Sequence, residues 1–144
     1  MVDADLAAVA AIERQELSPW SDTSIAAELD LDESLTIVIC HGDTVVGWVC
    51  CRHNDFEAEL MKIGVTKSLR RRGLGSILVD TVFRDLRQRC IEILFLEVRS
   101  LNHSALSFYL DCGFTEVGRR INYYRKPPDD ALVLKKTISP KNEG

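Results

Sequence analysis

Residues Arg70 to Ser76 read Arg-Arg-Arg-Gly-Leu-Gly-Ser, three cations followed by two glycines one residue apart, where an apolar helical pattern begins. A helix N-terminus leaves its first backbone amides unpaired, and its dipole favours negative charge there. Glycines at positions 73 and 75 let the main chain approach an anion with no Cβ in the way. Lys67, Arg70, Arg71 and Arg72 add positive charge beside it. The chemistry these residue types suit is the holding of a phosphate. A solvated basic turn at a helix start accounts for the same residues equally well, so the surrounding elements have to discriminate.

Those elements follow from periodicity. Asp3 or Asp5 can cap a first helix in which Leu6, Val9, Ala10, Glu13 and Leu17 recur at helical spacing. The stretch from Ser18 to Asp22 breaks it, and Ser21 or Asp22 caps a second short helix reaching Leu29. Leu35 to Cys40 is a β-branched strand, His41 to Asp43 a turn, and Thr44 to Arg52 the returning strand of a hairpin. Ala58 to Val65 is a third strand, in which Gly64 marks a bulge or a close backbone approach. After the glycine turn, Leu74, Ile77, Leu78, Val82 and Leu86 share one helix face. Ile91 to Val98 is a buried strand, and Ser100 or Asn102 opens a helix that ends at Gly113. Phe114 to Gly118 is a strand, Arg119 to Asp130 a loop, and Ala131 to Lys136 a final strand. The fold class is therefore α/β, a mixed and mainly antiparallel sheet with flanking helices and one parallel strand–helix–strand crossover. Residues 1–138 make one domain, and residues 139–144 a flexible tail.

With 144 residues the chain suffices for one domain with a proper core. A net charge of −4 gives no global electrostatic case for binding nucleic acid or an anionic membrane directly. Its distribution is uneven: Arg14 is the single base before Ser34, whereas Lys62 to Arg89 is strongly basic. The five cysteines, Cys40, Cys50, Cys51, Cys90 and Cys112, form no CxxC pair and sit mostly in apolar patterns, which favours reduced, buried thiols. His41, His53 and His103 have no metal-ligand spacing, so no metal is expected. Together with the lack of a signal-like or spanning segment, this predicts a soluble cytoplasmic protein.

Several nucleotide patterns compete for the glycine turn. A Walker A loop would need GxxxxGK followed by Ser or Thr, which is absent. The Rossmann pattern GxGxxG is half present, with Leu78 in the third glycine's place, and Glu97 falls about 20 residues on. The spacing from the preceding strand and the antiparallel hairpins before it argue against that reading. The pattern Arg-x-x-Gly-x-Gly behind a bulged strand, here Arg70 to Gly75 after Met61 to Val65, resembles the acetyl-coenzyme-A loop of the GNAT superfamily of N-acetyltransferases. The segment from Leu96 to Phe114 resembles one branch of it, the RimI type of ribosomal-protein alanine N-acetyltransferases. That branch has Leu-Glu-Val-Arg, an Asn, an Ala-x-x-x-Tyr helix and Gly-Phe. Pro19 to Ser21, Arg119 to Tyr124 and Asp129 to Leu134 extend the likeness across nearly the whole domain.

The resemblance implies a GNAT-like acyl-CoA N-acyltransferase fold, acetyl-CoA as donor co-substrate and no metal. It implies that the loop amides hold the pyrophosphate and that Arg70, Arg71, Arg72, Gly73, Leu74, Gly75 and Ser76 bind the coenzyme, the arginines at the pyrophosphate or at the ribose 3′-phosphate. Ile63, Gly64 and Val65 would offer strand-edge backbone to the pantetheine arm and the thioester oxygen. Asn102 and Tyr109 would contact the coenzyme, Glu97 would be the general base and Tyr109 the general acid. Read without the family, Glu97 could be a structural carboxylate paired with Arg99 or Arg52. Tyr109 could be a core aromatic with its hydroxyl tied to backbone, and Asn102 a helix N-cap.

The implied acceptor is the N-terminal α-amine of a protein, the alanine of small-subunit ribosomal protein eighteen. Glu28, Asp30, Asp32 and Glu33 could attract such a basic partner, and Trp20 with Tyr123 or Tyr124 could shape the pocket. Two departures border that end: little chain precedes the first helix, and the loop after Tyr124 is short and carries Pro127-Pro128. They keep a small-amine acetyltransferase open. A non-catalytic coenzyme-A or nucleotide-binding module is the further alternative.

Overall fold

A computed structural model describes residues 1–16, 19–70 and 72–138 of the chain. Leu17, Ser18, Arg71 and the expected tail 139–144 lie outside the described residues. The elements in order are α1 (Leu6–Glu13), α2 (Asp22–Glu28), β1 (Ser34–His41), β2 (Thr44–His53), β3 (Glu57–Val65), α3 (Leu74–Gln88), β4 (Ile93–Arg99), α4 (His103–Asp111), β5 (Thr115–Arg125) and β6 (Pro128–Thr137). The six strands form one sheet in the order β1-β2-β3-β4-β6-β5. Only β3 and β4 run parallel, joined through α3, so the expected mixed α/β class holds.

Two apolar layers flank the sheet. On one face Leu78, Val79, Val82, Phe83 and Leu86 of α3, together with Tyr109 and Phe114, pack on Val49, Leu60, Leu94, Leu96 and Leu134. On the other, Val9, Ala10 and Ile12 of α1 and Ile25 of α2 cover Trp48 and Cys50. β2 is therefore buried on both faces, which is why its sequence runs apolar without alternation. The α3 stripe is shifted from the expected one, because Ile77 is exposed while Val79 and Phe83 point inward.

Helix ends follow local chemistry. Ser21 caps α2 by accepting from the Ser24 amide at 3.1 Å. Asp5 instead accepts from the Val2 amide at 2.8 Å, and no aspartate side chain caps α1. The end of α4 at Gly113 (φ 97°) is a Schellman motif: Phe114 N donates to Tyr109 O and Gly113 N to Leu110 O. The end of α3 repeats it, with Ile91 N donating to Leu86 O and Cys90 N to Arg87 O, but here Cys90 occupies the left-handed position at φ 61°. All five cysteines are free, and Cys40 and Cys90 are exposed rather than buried.

The largest departure from expectation is the stretch 119–130. It is not a loop: β5 runs on to Arg125, a two-residue turn follows, and β6 starts at Pro128. β5 is an edge strand with mostly exposed side chains, so its sequence carries no apolar alternation to betray it. Its ladder slips twice, between Glu116 and Gly118 and between Arg120 and Tyr124. Asp130 pins the second irregularity by accepting from Arg119 at 2.9 Å and from the Asn122 amide at 2.8 Å.

The strained cap at the end of α3 gives a direct test. Replacing Cys90 by Gly relieves a left-handed non-glycine residue and, after the entropy that glycine adds to the unfolded chain, raises stability by about 0.5 kcal/mol. Urea unfolding of the Cys90→Gly protein should therefore show a higher midpoint at unchanged slope.

Candidate active site

The site begins where two strands part. β3 and β4 pair only from Glu57–Ile93 to Glu59–Phe95, and beyond that point their facing edges separate. Between them opens a groove of about 1140 Å³, lined by Leu60 to Val65 of β3 and Leu96 to Arg99 of β4. The register of β2 against β3 slips between Cys50–Lys62 and Cys51–Leu60, leaving Met61 as the extra residue. The bulge thus sits three residues before Gly64, not at it. Gly64 serves the other expected purpose, close approach: an added Cβ would lie 3.2 Å from Ile12 Cγ2 and 3.5 Å from carboxylate oxygens of Glu13 and Glu16.

The glycine turn closes one end of the groove. Gly73 has φ 79° and opens α3, whose first intrahelical bond is Ile77 N to Gly73 O at 3.1 Å. The amides of Leu74, Gly75 and Ser76 have no intrahelical partner for that reason, and all three residues line the groove. Gly75 is small for a protein reason, since a Cβ there would come within 3.1 Å of the Phe108 ring of α4. Arg70 lines the groove too, yet its guanidinium is held by protein groups. It bonds Glu16 at 3.0 Å and donates to Val65 O at 3.1 Å. The Lys67 amide donates to Gln15 at 2.8 Å, so the end of α1 clamps both flanks of the short turn that leads into the glycines. Arg72 and Lys67 are exposed and do not line the groove.

The remaining expected residues converge from β4 and α4. Asn102 caps α4 by accepting from Ala105 N at 3.2 Å while lining the groove, so both of its readings are compatible. Tyr109 lies seven residues on, about two helical turns, its ring packed edge-on against Phe108 (5.2 Å) and Phe114 (5.7 Å). Its hydroxyl has no hydrogen-bond partner among the described residues, contrary to a phenol tied to backbone. Burial pushes the phenol above its ordinary range, so it stays protonated at neutral pH.

Glu97 lines the groove from β4, and its partner is neither Arg99 nor Arg52. Arg120 of β5 binds it at 3.2 Å, from the stretch 119–130 expected to be a loop. Arg99 instead donates to the carbonyls of Pro127 (2.8 Å) and Lys126 (3.2 Å) and stacks 4.1 Å over the Tyr124 ring. Arg52 is bound to Glu28. That pairing corrects another expectation: Glu28 is buried and offers no surface charge, whereas Asp30, Asp32 and Glu33 are exposed. Of the aromatic candidates, Trp20 and Tyr124 line the groove and Tyr123 does not. Glu16 and Phe108 were missed. Neither carries a local signal, because each is defined by a partner far along the chain.

Chemically the groove joins unpaired amides, a neutral phenol and a carboxylate along one strand gap. That set suits anion binding at one end and proton transfer at the other.

The model of the Acetyltransferase (GNAT) family matches residues 6–114. Over 138 residues the chain is 31% identical to the ribosomal protein bS18-alanine N-acetyltransferase of Salmonella typhimurium, covering 94% of this chain and 93% of that one. The crystal structure of the ribosomal-protein-S18-alanine N-acetyltransferase from Escherichia coli superposes with a TM-score of 0.88 at 28% identity, over 100% of this chain and 96% of that one. An aminoglycoside 6′-N-acetyltransferase complexed with coenzyme A shares the fold at a TM-score of 0.85 and 17% identity, over 99% of this chain and 95% of that one.

Burial of acidic protons makes a pH prediction. Tyr109 and Tyr124 have phenols raised chiefly by desolvation, and the Cys50 thiol is pushed up to about 12 for the same reason. A group whose folded value is raised stabilises fully below its unfolded value and loses that contribution as pH rises through the folded one. Stability should therefore fall progressively above about pH 9, where unfolded thiols and then phenols ionise. In thermal melts, Tyr109→Phe should flatten the part of that decline above about pH 10.

Proposed function

The chain belongs to the GNAT acetyltransferase family, and from that premise we propose that it moves the acetyl group of acetyl-CoA onto the N-terminal α-amine of a protein beginning with alanine, of the ribosomal protein bS18 type. The observation that carries the reading is the meeting of Glu97, Tyr109 and the free amides of Leu74, Gly75 and Ser76 in one groove. Identity of 31% across 94% of the chain to an enzyme named for that acceptor supports the acceptor class.

The amides at the start of α3 bind the coenzyme's pyrophosphate, with the helix dipole adding to their attraction. Arg70 contributes by bracing the turn through Glu16 and Val65. The pantetheine arm lies along the unpaired edge of β3 between Leu60 and Val65, as an added strand would. Asn102 uses its side-chain oxygen for the cap of α4, leaving its amide hydrogens for the coenzyme.

An α-ammonium has a pKa near 8 and must lose a proton before it can attack. Glu97 accepts that proton. The amine nitrogen then forms its bond to the thioester carbon, whose oxygen takes up negative charge against a backbone donor of β3. The carbon–sulfur bond breaks, Tyr109 gives its hydroxyl proton to the departing thiolate, and the second proton that the nitrogen sheds in becoming an amide returns the phenolate to a phenol. A phenol kept neutral by burial suits that last step, because it still holds its proton at neutral pH. At the acceptor end, Trp20 and Tyr124 bound the space in front of Glu97, and exposed Asp30, Asp32 and Glu33 favour a cationic protein terminus.

The experiment is mass spectrometry of peptides and small amines incubated with the protein and acetyl-CoA. An acetyl group of about 42 Da should appear on the terminal alanine of basic peptides. Gain confined to small amines would overturn the acceptor. Glu97→Gln should lower turnover about a hundredfold with coenzyme affinity nearly unchanged, and the loss should shrink at high pH as free amine accumulates. Tyr109→Phe should slow turnover comparably without that rescue.

A further inference from the structure

A second recess, of about 420 Å³, opens on the sheet face where β3 and β4 part, and Glu97 lines it as well as the main groove. Arg52 of β2, Glu57 and Glu59 of β3, Phe95 of β4 and Arg120 of β5 are among the residues that line it. Ala58, Leu60, Leu96 and Val98 all turn into the core on the opposite face, so strand alternation puts Glu59 and Glu97 on the same side. Glu59 pairs in register with Phe95, the last rung before the fork, and Glu97 lies two residues further along.

Of the two arginines that line this recess, Arg120 is the one these two carboxylates can share. Arg52 is paired with Glu59 across the ladder, but its guanidinium is committed to Glu28 through Nε and Nη2, both at 2.9 Å. Arg120 touches Glu97 through one nitrogen at 3.2 Å, and its side chain is 57% exposed. Glu59 has no hydrogen bond or ion pair among the described residues. Desolvation and then the charge on Glu97 push its carboxyl up, while Arg120 and then Arg52 pull it back.

The ion pair poses a problem for the reaction proposed above. An incoming ammonium needs the carboxylate that the guanidinium already holds, and two cations against one anion repel. We infer that Arg120 is a positioning residue served by both carboxylates, holding Glu97 in the free enzyme and passing to Glu59 when the acceptor amine takes its place. The transfer keeps the guanidinium inside the recess, opposite a carboxylate throughout, so little charge is left uncompensated. No proton moves with it; the amine's proton goes to Glu97 as before. This inference rests on Glu97 being the base.

The titratable and charged groups that share the two cavities with Glu97 are Glu57, Glu59 and Lys62 from β3, Arg52 and His53 from β2, Arg120 and Tyr124 from β5, Tyr109 from α4, Glu16 beyond α1, Arg70 before the glycine turn, and Arg99 on its own strand. The test is kcat and KM, taken separately, for a terminal-alanine peptide, with the KM for acetyl-CoA as a control for folding. In Arg120→Gln, Glu97 loses the group that orients it, so kcat for the peptide should fall about tenfold with the KM for acetyl-CoA unchanged. Arg120→Lys should restore kcat. In Glu59→Gln the guanidinium has nowhere to go, so KM for the peptide should rise about tenfold, and removing Arg120 as well should abolish that rise. An unchanged kcat in Arg120→Gln would overturn the inference. So would an equal rise in KM on losing Glu59 with and without Arg120, which would mean that Glu59 meets the acceptor itself. A Glu97→Gln enzyme as fast as the parent would instead remove the base, and this inference with it.

Discussion

Everything at the site depends on one broken ladder. Parallel strands β3 and β4 keep three rungs and then separate, which leaves main-chain donors and acceptors of β3 facing open space. Unpaired backbone of this kind is costly unless something satisfies it, so a strand gap inside a sheet is either wet or a binding surface. The same parallel pairing requires a crossover, and α3 is that crossover. Its N-terminus is thereby delivered to the gap with its amides unpaired. The phosphate end and the strand end of the groove are two products of one connection.

What holds the strands apart lies on either side. β4 pairs with β6 along its whole length, from Ile93–Thr137 to Arg99–Ala131. β3 instead follows β2, and after the bulge at Met61 it is tied to the helical layer. Glu13, fully buried, accepts from Trp20 N at 2.9 Å and Trp48 Nε1 at 3.2 Å and pairs with Lys62 at 3.5 Å. One carboxylate thus joins α1, the segment after it, β2 and β3. Glu28 does a similar service for α2 and β2 through Arg52. Buried charges that are paired and hydrogen-bonded in this way add little net stability but penalise any other arrangement. Here the arrangement they favour is the fork.

The parts that sequence made legible are those whose cause is local. Gly73 with φ 79°, Ser21 at an N-cap, Asn102 at another and Gly113 at a C-terminus each act within a few residues. The α/β class followed from strands whose apolar content reflects a covered face. Long-range pairings were illegible. Arg70 meets Glu16 at a sequence separation of 54, and no window of sequence contains both. Gly75 looked like a ligand glycine and is equally a packing glycine under Phe108. The pairing of Glu97 with Arg120 was hidden because β5 was hidden, its exposed side chains giving no periodic signal.

β5 itself closes the sheet on that side, and an unpaired rim of eleven residues invites another chain to add to it. Arg119, Arg120 and Arg125 line this rim, and the two slips in register keep it from presenting a straight run of donors and acceptors. Like-charged guanidiniums brought edge to edge repel, and a crooked border cannot zip. Arg120, which holds Glu97, therefore joins Arg119 and Arg125 in discouraging the protein from stacking into filaments, a protection that any remodelling of this strand towards neutral side chains would erode.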